Sequence, residues 1–118
     1  MKNTALILID IQNDYFPGGK FEQEGANEAG ENAARILAEF RARDLPVIHI
    51  QHVNMVEAAG FFLPETEGVE IHQSVTPIEG EKVVIKHFPN SFRETELGKE
   101  LEAKGVERVV IIGMMTLM

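Results

Sequence analysis

An unbroken apolar run, Ala5-Leu6-Ile7-Leu8-Ile9, opens the chain and stops at Asp10. Apolar residues in succession, with no polar alternation, suit a strand covered on both faces, as in a parallel sheet. A polar, glycine-containing stretch from Gln12 to Gly25 follows, and the period then changes. Ala29, Ala33, Ile36, Leu37 and Phe40 recur at three- and four-residue spacing, which predicts an amphipathic helix over 27–44. Glu28 and Glu31 near its start and Arg41 and Arg43 near its end complement the helix dipole. Asp44 to Pro46 ends it, and Pro46-Val47-Ile48-His49-Ile50 predicts a second strand.

Between Gln51 and Glu81 the periodicity is lost, and Gly60, Pro64, Gly68, Pro77 and Gly80 mark a long irregular connection. In a compact domain such a loop is usually functional or disordered. Phe61-Phe62-Leu63 is expected there as a lid or a subunit contact rather than as core. Lys82-Val83-Val84-Ile85-Lys86 predicts a third strand. Ser91-Phe92-Arg93-Glu94 has capping-box form and opens a second helix with Leu97 and Leu101 facing inward. Gly105 ends that helix, and 107–112 is a fourth strand. Strands alternating with amphipathic helices imply right-handed parallel crossovers, so the expected fold is α/β, an open, mostly parallel Rossmann-like sheet with helices on both faces.

Composition narrows the possibilities. With 118 residues, 44% of them hydrophobic and 25% charged, the chain is expected to form a single domain. A formal net charge of -8 argues against nucleic acid as a partner, because phosphate backbones are bound by clustered Lys and Arg. No cysteine is present, so these residues hold no disulfide and no thiolate metal site. The apolar stretch at the start is too short for a signal peptide or a membrane span, so a cytoplasmic location without membrane association is expected.

Ligands of open parallel sheets bind beyond the carboxyl ends of the strands. Asp10 and Lys86 end the first and third strands, each after an apolar run, and are expected to face one crevice. Spacing alone leaves two readings open, a partly buried structural ion pair or a catalytic pair. Gly113-Met114-Met115-Thr116 ends the fourth strand, and by itself reads as a plain strand-to-helix turn. No G-x-G-x-x-G follows the first strand, which disfavours a dinucleotide-binding protein.

Three stretches carry a family likeness. Leu8-Ile9-Asp10-Ile11-Gln12-Asn13-Asp14-Tyr15-Phe16 with Gly18-Gly19 resembles the opening motif of the isochorismatase-like hydrolases, which include nicotinamidases and N-carbamoylsarcosine amidases. Val84-Ile85-Lys86-His87-Phe88-Pro89-Asn90-Ser91-Phe92 resembles the second motif, and Ile111-Ile112-Gly113-Met114-Met115-Thr116 the third. The order is right, and the likeness covers nearly the whole chain.

The resemblance implies a catalytic trio of Asp10, Lys86 and a cysteine that would follow Met118 directly. It also implies a non-proline cis peptide at Met114-Met115 that aims backbone N–H groups at an oxyanion. Leu117 departs from the pattern, since relatives with this Gly-Met-Met-Thr sequence often have His there. Strand order 3-2-1-4 would leave the outer edge of the fourth strand for later elements to cover, so the 118 residues are expected to be a fragment of a longer protein. Substrate-pocket positions are expected at Gln12, Phe16 and Phe92, with Gln12 and Asn13 either orienting Asp10 or capping the following loop.

Nicotinamidase-like members bind a metal through an Asp and several His residues after the second strand. Here His49, His52 and His72 are present, but Ile50 occupies the carboxylate position, so no complete metal site and no cofactor are expected, and the histidines read as ordinary loop residues. The expected partners are a small-molecule substrate and further copies of the chain, as a dimer or tetramer. Three functions fit. One is a cysteine hydrolase of a small amide or related C–N bond. The second is an inactive member serving as a binding or assembly subunit, and the third hydrolyses a vinyl ether through Asp10 without a thiol.

Overall fold

The computed structural model describes residues 3–88 and 96–114. Its elements in chain order are β1 (Thr4–Ile9), a 3-10 turn (Asn13–Tyr15), α1 (Ala26–Ala42) and β2 (Val47–His52). Three 3-10 turns follow at Glu57–Ala59, Glu67–Val69 and Gln73–Val75, and then β3 (Lys82–Lys86), α2 (Leu97–Ala103) and β4 (Arg108–Gly113). The four strands form one sheet in the order β3-β2-β1-β4, and every pairing is parallel. The order expected from the resemblance is therefore the order observed.

Each strand deals its side chains alternately to two apolar layers. Leu6 and Leu8 of β1 join Val47 and the α1 stripe of Ala33, Leu37 and Phe40 in one buried cluster. Ile7 joins Ile48, Ile50, Val84 and Leu97 in a second cluster, with Ile9 and Leu101 packed at its margin. Helices thus cover both faces, α1 on one and α2 on the other. Among the described residues, no helix is long and apolar enough to cross a membrane.

Three expectations need correction. β2 runs two residues beyond Ile50, to His52, because the Gln12 side chain and β3 continue the ladder there. Neither His49 nor His52 is a loop histidine, since both lie in β2, and His49, 1% exposed, has its Nε2 2.8 Å from Glu81 Oε1. Phe62 is core, fully buried, although its neighbours Phe61 and Leu63 are half-buried. The cause lies far away in the sequence: Asp14 Oδ2 accepts the Phe62 N–H at 2.7 Å and draws the loop inward against Tyr15. The proposed capping box at 91–94 lies outside the described residues.

β4 is the edge strand. Val110 and Ile112 pack on the α1 side, whereas Val109 and Ile111 on the other side are exposed.

Candidate active site

The carboxyl ends of β1, β2 and β3 converge, and register fixes which residues meet there. Asp10 follows Ile9, which pairs with Ile50, and the Asp10 N–H donates to the Ile50 carbonyl at 3.0 Å. β1 then bends. Asp10 has φ +59°, a left-handed conformation that Asp adopts more readily than most residues, and the turn carries its carboxylate out of the strand line. On the far side of β2, Lys86 pairs with His52. The outcome is the juxtaposition expected from sequence: Lys86 Nζ lies 3.4 Å from Asp10 Oδ1, with both residues buried.

That separation makes an ion pair but is long for a hydrogen bond. Asp10 Oδ1 has no hydrogen-bond partner among the described residues. Burial pushes the Asp10 carboxyl above its ordinary 3.8, and the charges of Lys86 and His52 pull the other way without cancelling it. A carboxylate with enhanced proton affinity beside a buried cation can serve as a general base.

Two further side chains join the pair that sequence reasoning did not assign to it. His52 interacts electrostatically with both Asp10 and Lys86, and burial holds its imidazole below the usual 6.5. Tyr15 is 4% exposed, and its phenol is pushed up to about 12 by burial and then by the Asp10 charge. Tyr15 stood inside the opening motif, but nothing in the spacing distinguished it from a packing aromatic.

Gln12 is fully buried, and its amide is spent on backbone. Oε1 accepts the His52 N–H at 2.8 Å, and Nε2 donates to the carbonyls of His52 at 2.9 Å and Val69 at 2.6 Å. The amide stands in for a peptide group where β1 has turned away, so its hydrogen bonds hold the end of β2 rather than the Asp10 carboxylate. Asn13 donates from Nδ2 to the Glu67 carbonyl. Phe16 is also buried, stacked on His72 with centroids 3.5 Å apart, and lines a cavity of about 800 Å³ with Asn13, Lys20, Phe61 and His72. Neither Asp10 nor Lys86 is among the residues that line that cavity.

The register of β4 against β1 pairs Gly113 with Ile9, so Met114 follows at the level of Asp10. Met114 is half-buried on the α1 side. Met115 and Phe92 lie outside the described residues, and so does the expected cis bond. Among the described residues no cluster of His, Cys, Asp and Glu is arranged to hold a metal ion.

The arrangement can be set against known proteins. The sequence profile of the isochorismatase domain matches residues 4–118. The chain belongs to the isochorismatase family. It is 51% identical over 113 residues to the uncharacterized isochorismatase family protein YddQ of Bacillus subtilis, covering 96% of this chain and 63% of that protein. The crystal structure of a provisionally named isochorismatase hydrolase from Oleispira antarctica superposes with a TM-score of 0.92 at 48% identity, covering 98% of this chain and 63% of the other. Maleamate amidohydrolase of Pseudomonas putida is 30% identical, covering 98% of this chain and 61% of that protein. The chain therefore spans about three fifths of the length of these isochorismatase-family relatives.

Proposed function

We propose that this protein is a hydrolase that cleaves an amide or related C–N bond of a small molecule, with Asp10 as general base and Lys86 as the cation beside it. The observation that carries this reading is the buried 3.4 Å pair at the carboxyl end of the sheet. Family membership supports it, and so does similarity to an amidohydrolase.

The chemistry runs as a covalent cycle. Asp10 takes the proton of a thiol, and Lys86 stabilises the thiolate. The thiolate attacks the carbonyl carbon, backbone N–H groups hold the resulting oxyanion, and the protonated Asp10 returns its proton to the leaving nitrogen as the C–N bond breaks. Water then attacks the thioester and gives one proton to Asp10, the C–S bond breaks, a carboxylic acid leaves, and the proton on Asp10 returns to the sulfur to restore the thiol. The thiol is the one that the family resemblance implies. The 118 residues contain none, so the roles assigned within them are those of Asp10 and Lys86.

The test is ammonia release from a panel of small amides by the protein expressed from its complete reading frame. At least one amide should be turned over, Asp10→Asn should abolish the reaction, and Lys86→Ala should slow it by about 100-fold or more. Full turnover by both variants would overturn the assignment.

A further inference from the structure

In a parallel ladder, a bridging residue of one strand gives its N–H and its carbonyl to the two residues that flank its partner on the other. Ile50 is the last residue of β2 to bridge β1 in this way, and the bond from the Asp10 N–H to its carbonyl, at 3.0 Å, ends the ladder. One step further along, His52 would give its N–H to the Asp10 carbonyl and receive the Gln12 N–H on its own carbonyl. The bend at Asp10 takes both partners away, because the Gln12 N–H donates to the Asp10 carbonyl instead, at 2.9 Å. The Gln12 side chain restores both bonds. Its Oε1 accepts the His52 N–H at 2.8 Å, and its Nε2 donates to the His52 carbonyl at 2.9 Å. Only a primary amide carries an acceptor and a donor side by side at the end of a neutral side chain, and asparagine is one methylene shorter.

The strand end that Gln12 holds is the one that carries Lys86. His52 is the register partner of Lys86 on β3, and the adjacent Val53 N–H donates to the Lys86 carbonyl at 2.9 Å. The contacts close a ring. It runs from Asp10 to Gln12 along the chain, from Gln12 to His52 through the amide, from His52 and Val53 to Lys86 through the sheet, and from Lys86 Nζ back to Asp10 Oδ1 across 3.4 Å.

We propose that Gln12 is a positioning residue of the Asp10–Lys86 site: its amide lets β1 turn Asp10 out of the strand line while the end of β2 keeps Lys86 in register, and so sets the distance between the two charges. The proposal rests on the hydrolase reading and adds to it a residue that acts through the backbone of its neighbours.

The test is the titration of the Asp10 carboxyl, followed by carbon NMR in the full-length protein, together with kcat and KM on whichever amide that protein hydrolyses. Lys86 and His52 are the charged groups that oppose the effect of burial on Asp10, so a wider separation raises the midpoint. Gln12→Met keeps the bulk without the bonds, and Gln12→Asn is too short to make both; neither adds a charge. Each should raise the midpoint by about 0.5 pH unit or more, and kcat should fall about tenfold or more with KM within about twofold. If one variant does not fold, the other decides. Gln51→Leu is the control, since Gln51 donates to the same Val69 carbonyl as Gln12 and takes no part in the clamp on His52. Its midpoint should stay in place. An unmoved midpoint in a folded Gln12 variant, or an equal rise in Gln51→Leu, would overturn the proposal. If the midpoint rises as expected while no amide is hydrolysed, the hydrolase reading fails and the placement of Lys86 by Gln12 stands.

Discussion

Lys86 Nζ faces Asp10 Oδ1 across 3.4 Å at the mouth of the sheet, and it opposes the effect of burial on that carboxyl. Replacing Lys86 with Met removes the opposing charge, so Asp10 keeps its proton to higher pH. The acid limb of kcat/KM should rise, and kcat should fall by about 100-fold or more. A pH–rate profile of the variant measures both, and an unmoved acid limb would show that the two groups are not coupled.

Gln12 joins β1, β2 and the turn at Glu67–Val69 through one side chain. Gln12→Leu keeps the volume but leaves the His52 N–H and the carbonyls of His52 and Val69 without that partner. Unfolding in urea should show a loss of about 3 kcal/mol with the slope unchanged. A loss below about 1 kcal/mol would mean that water or a neighbour takes over the amide's bonds.

Asp14 organises the loops above α1. Its Oδ1 accepts the Lys20 N–H at 3.0 Å, its Oδ2 accepts the Phe62 N–H, and Gly68 packs directly on the carboxylate. A Cβ on Gly68 would overlap it. Gly68→Ala should therefore destabilise the fold by about 2 kcal/mol, through displacement of the loop rather than loss of any contact that Gly68 makes. Thermal unfolding against the wild type would reveal it, and a neutral result would mean that the loop moves freely.

Glu81 binds Arg41 of α1 through both carboxylate oxygens, at 2.7 and 2.8 Å, and meets His49 of β2. Hydrogen bonds to Arg41, His49 and the Ile78 N–H outweigh burial and hold its carboxyl at about 2, below the ordinary 4.5. The unfolded chain thus takes up this proton first as the solution is acidified. The stabilisation is complete above about 4.5 and disappears as pH falls toward 2. His49 acts in the same direction, since burial lowers its proton affinity and the unfolded state is protonated first below 6.5. Glu81→Gln should cost about 2 kcal/mol at pH 7 and flatten the acid side of the stability curve. An acid slope as steep as the wild type's would assign the effect to other carboxylates.

Patterns of spacing carried the sheet, α1 and the position of the ion pair. The unbroken apolar runs announced buried parallel strands, and the three- and four-residue stripe located α1 to within two residues at each end. The connection between β2 and β3 was illegible because it is ordered by side chains acting over long sequence distances. Asp14 reaches Phe62, Gln12 reaches His52 and Val69, and Arg41 reaches Glu81, and no local period encodes any of these links. The same limit hid the place of His52 beside Lys86, which is a matter of strand register alone.

Asp10 is at once the bend that ends β1 and the buried acid at the mouth of the sheet. Two demands of different kinds therefore fall on one codon, and few side chains satisfy the first even when freed from the second. Asparagine tolerates the left-handed backbone almost as well as aspartate, whereas alanine adds strain there and glycine adds slack. Loss of chemistry in Asp10→Asn can accordingly be read as chemistry, while the customary alanine scan would confound an absent proton acceptor with a redirected chain.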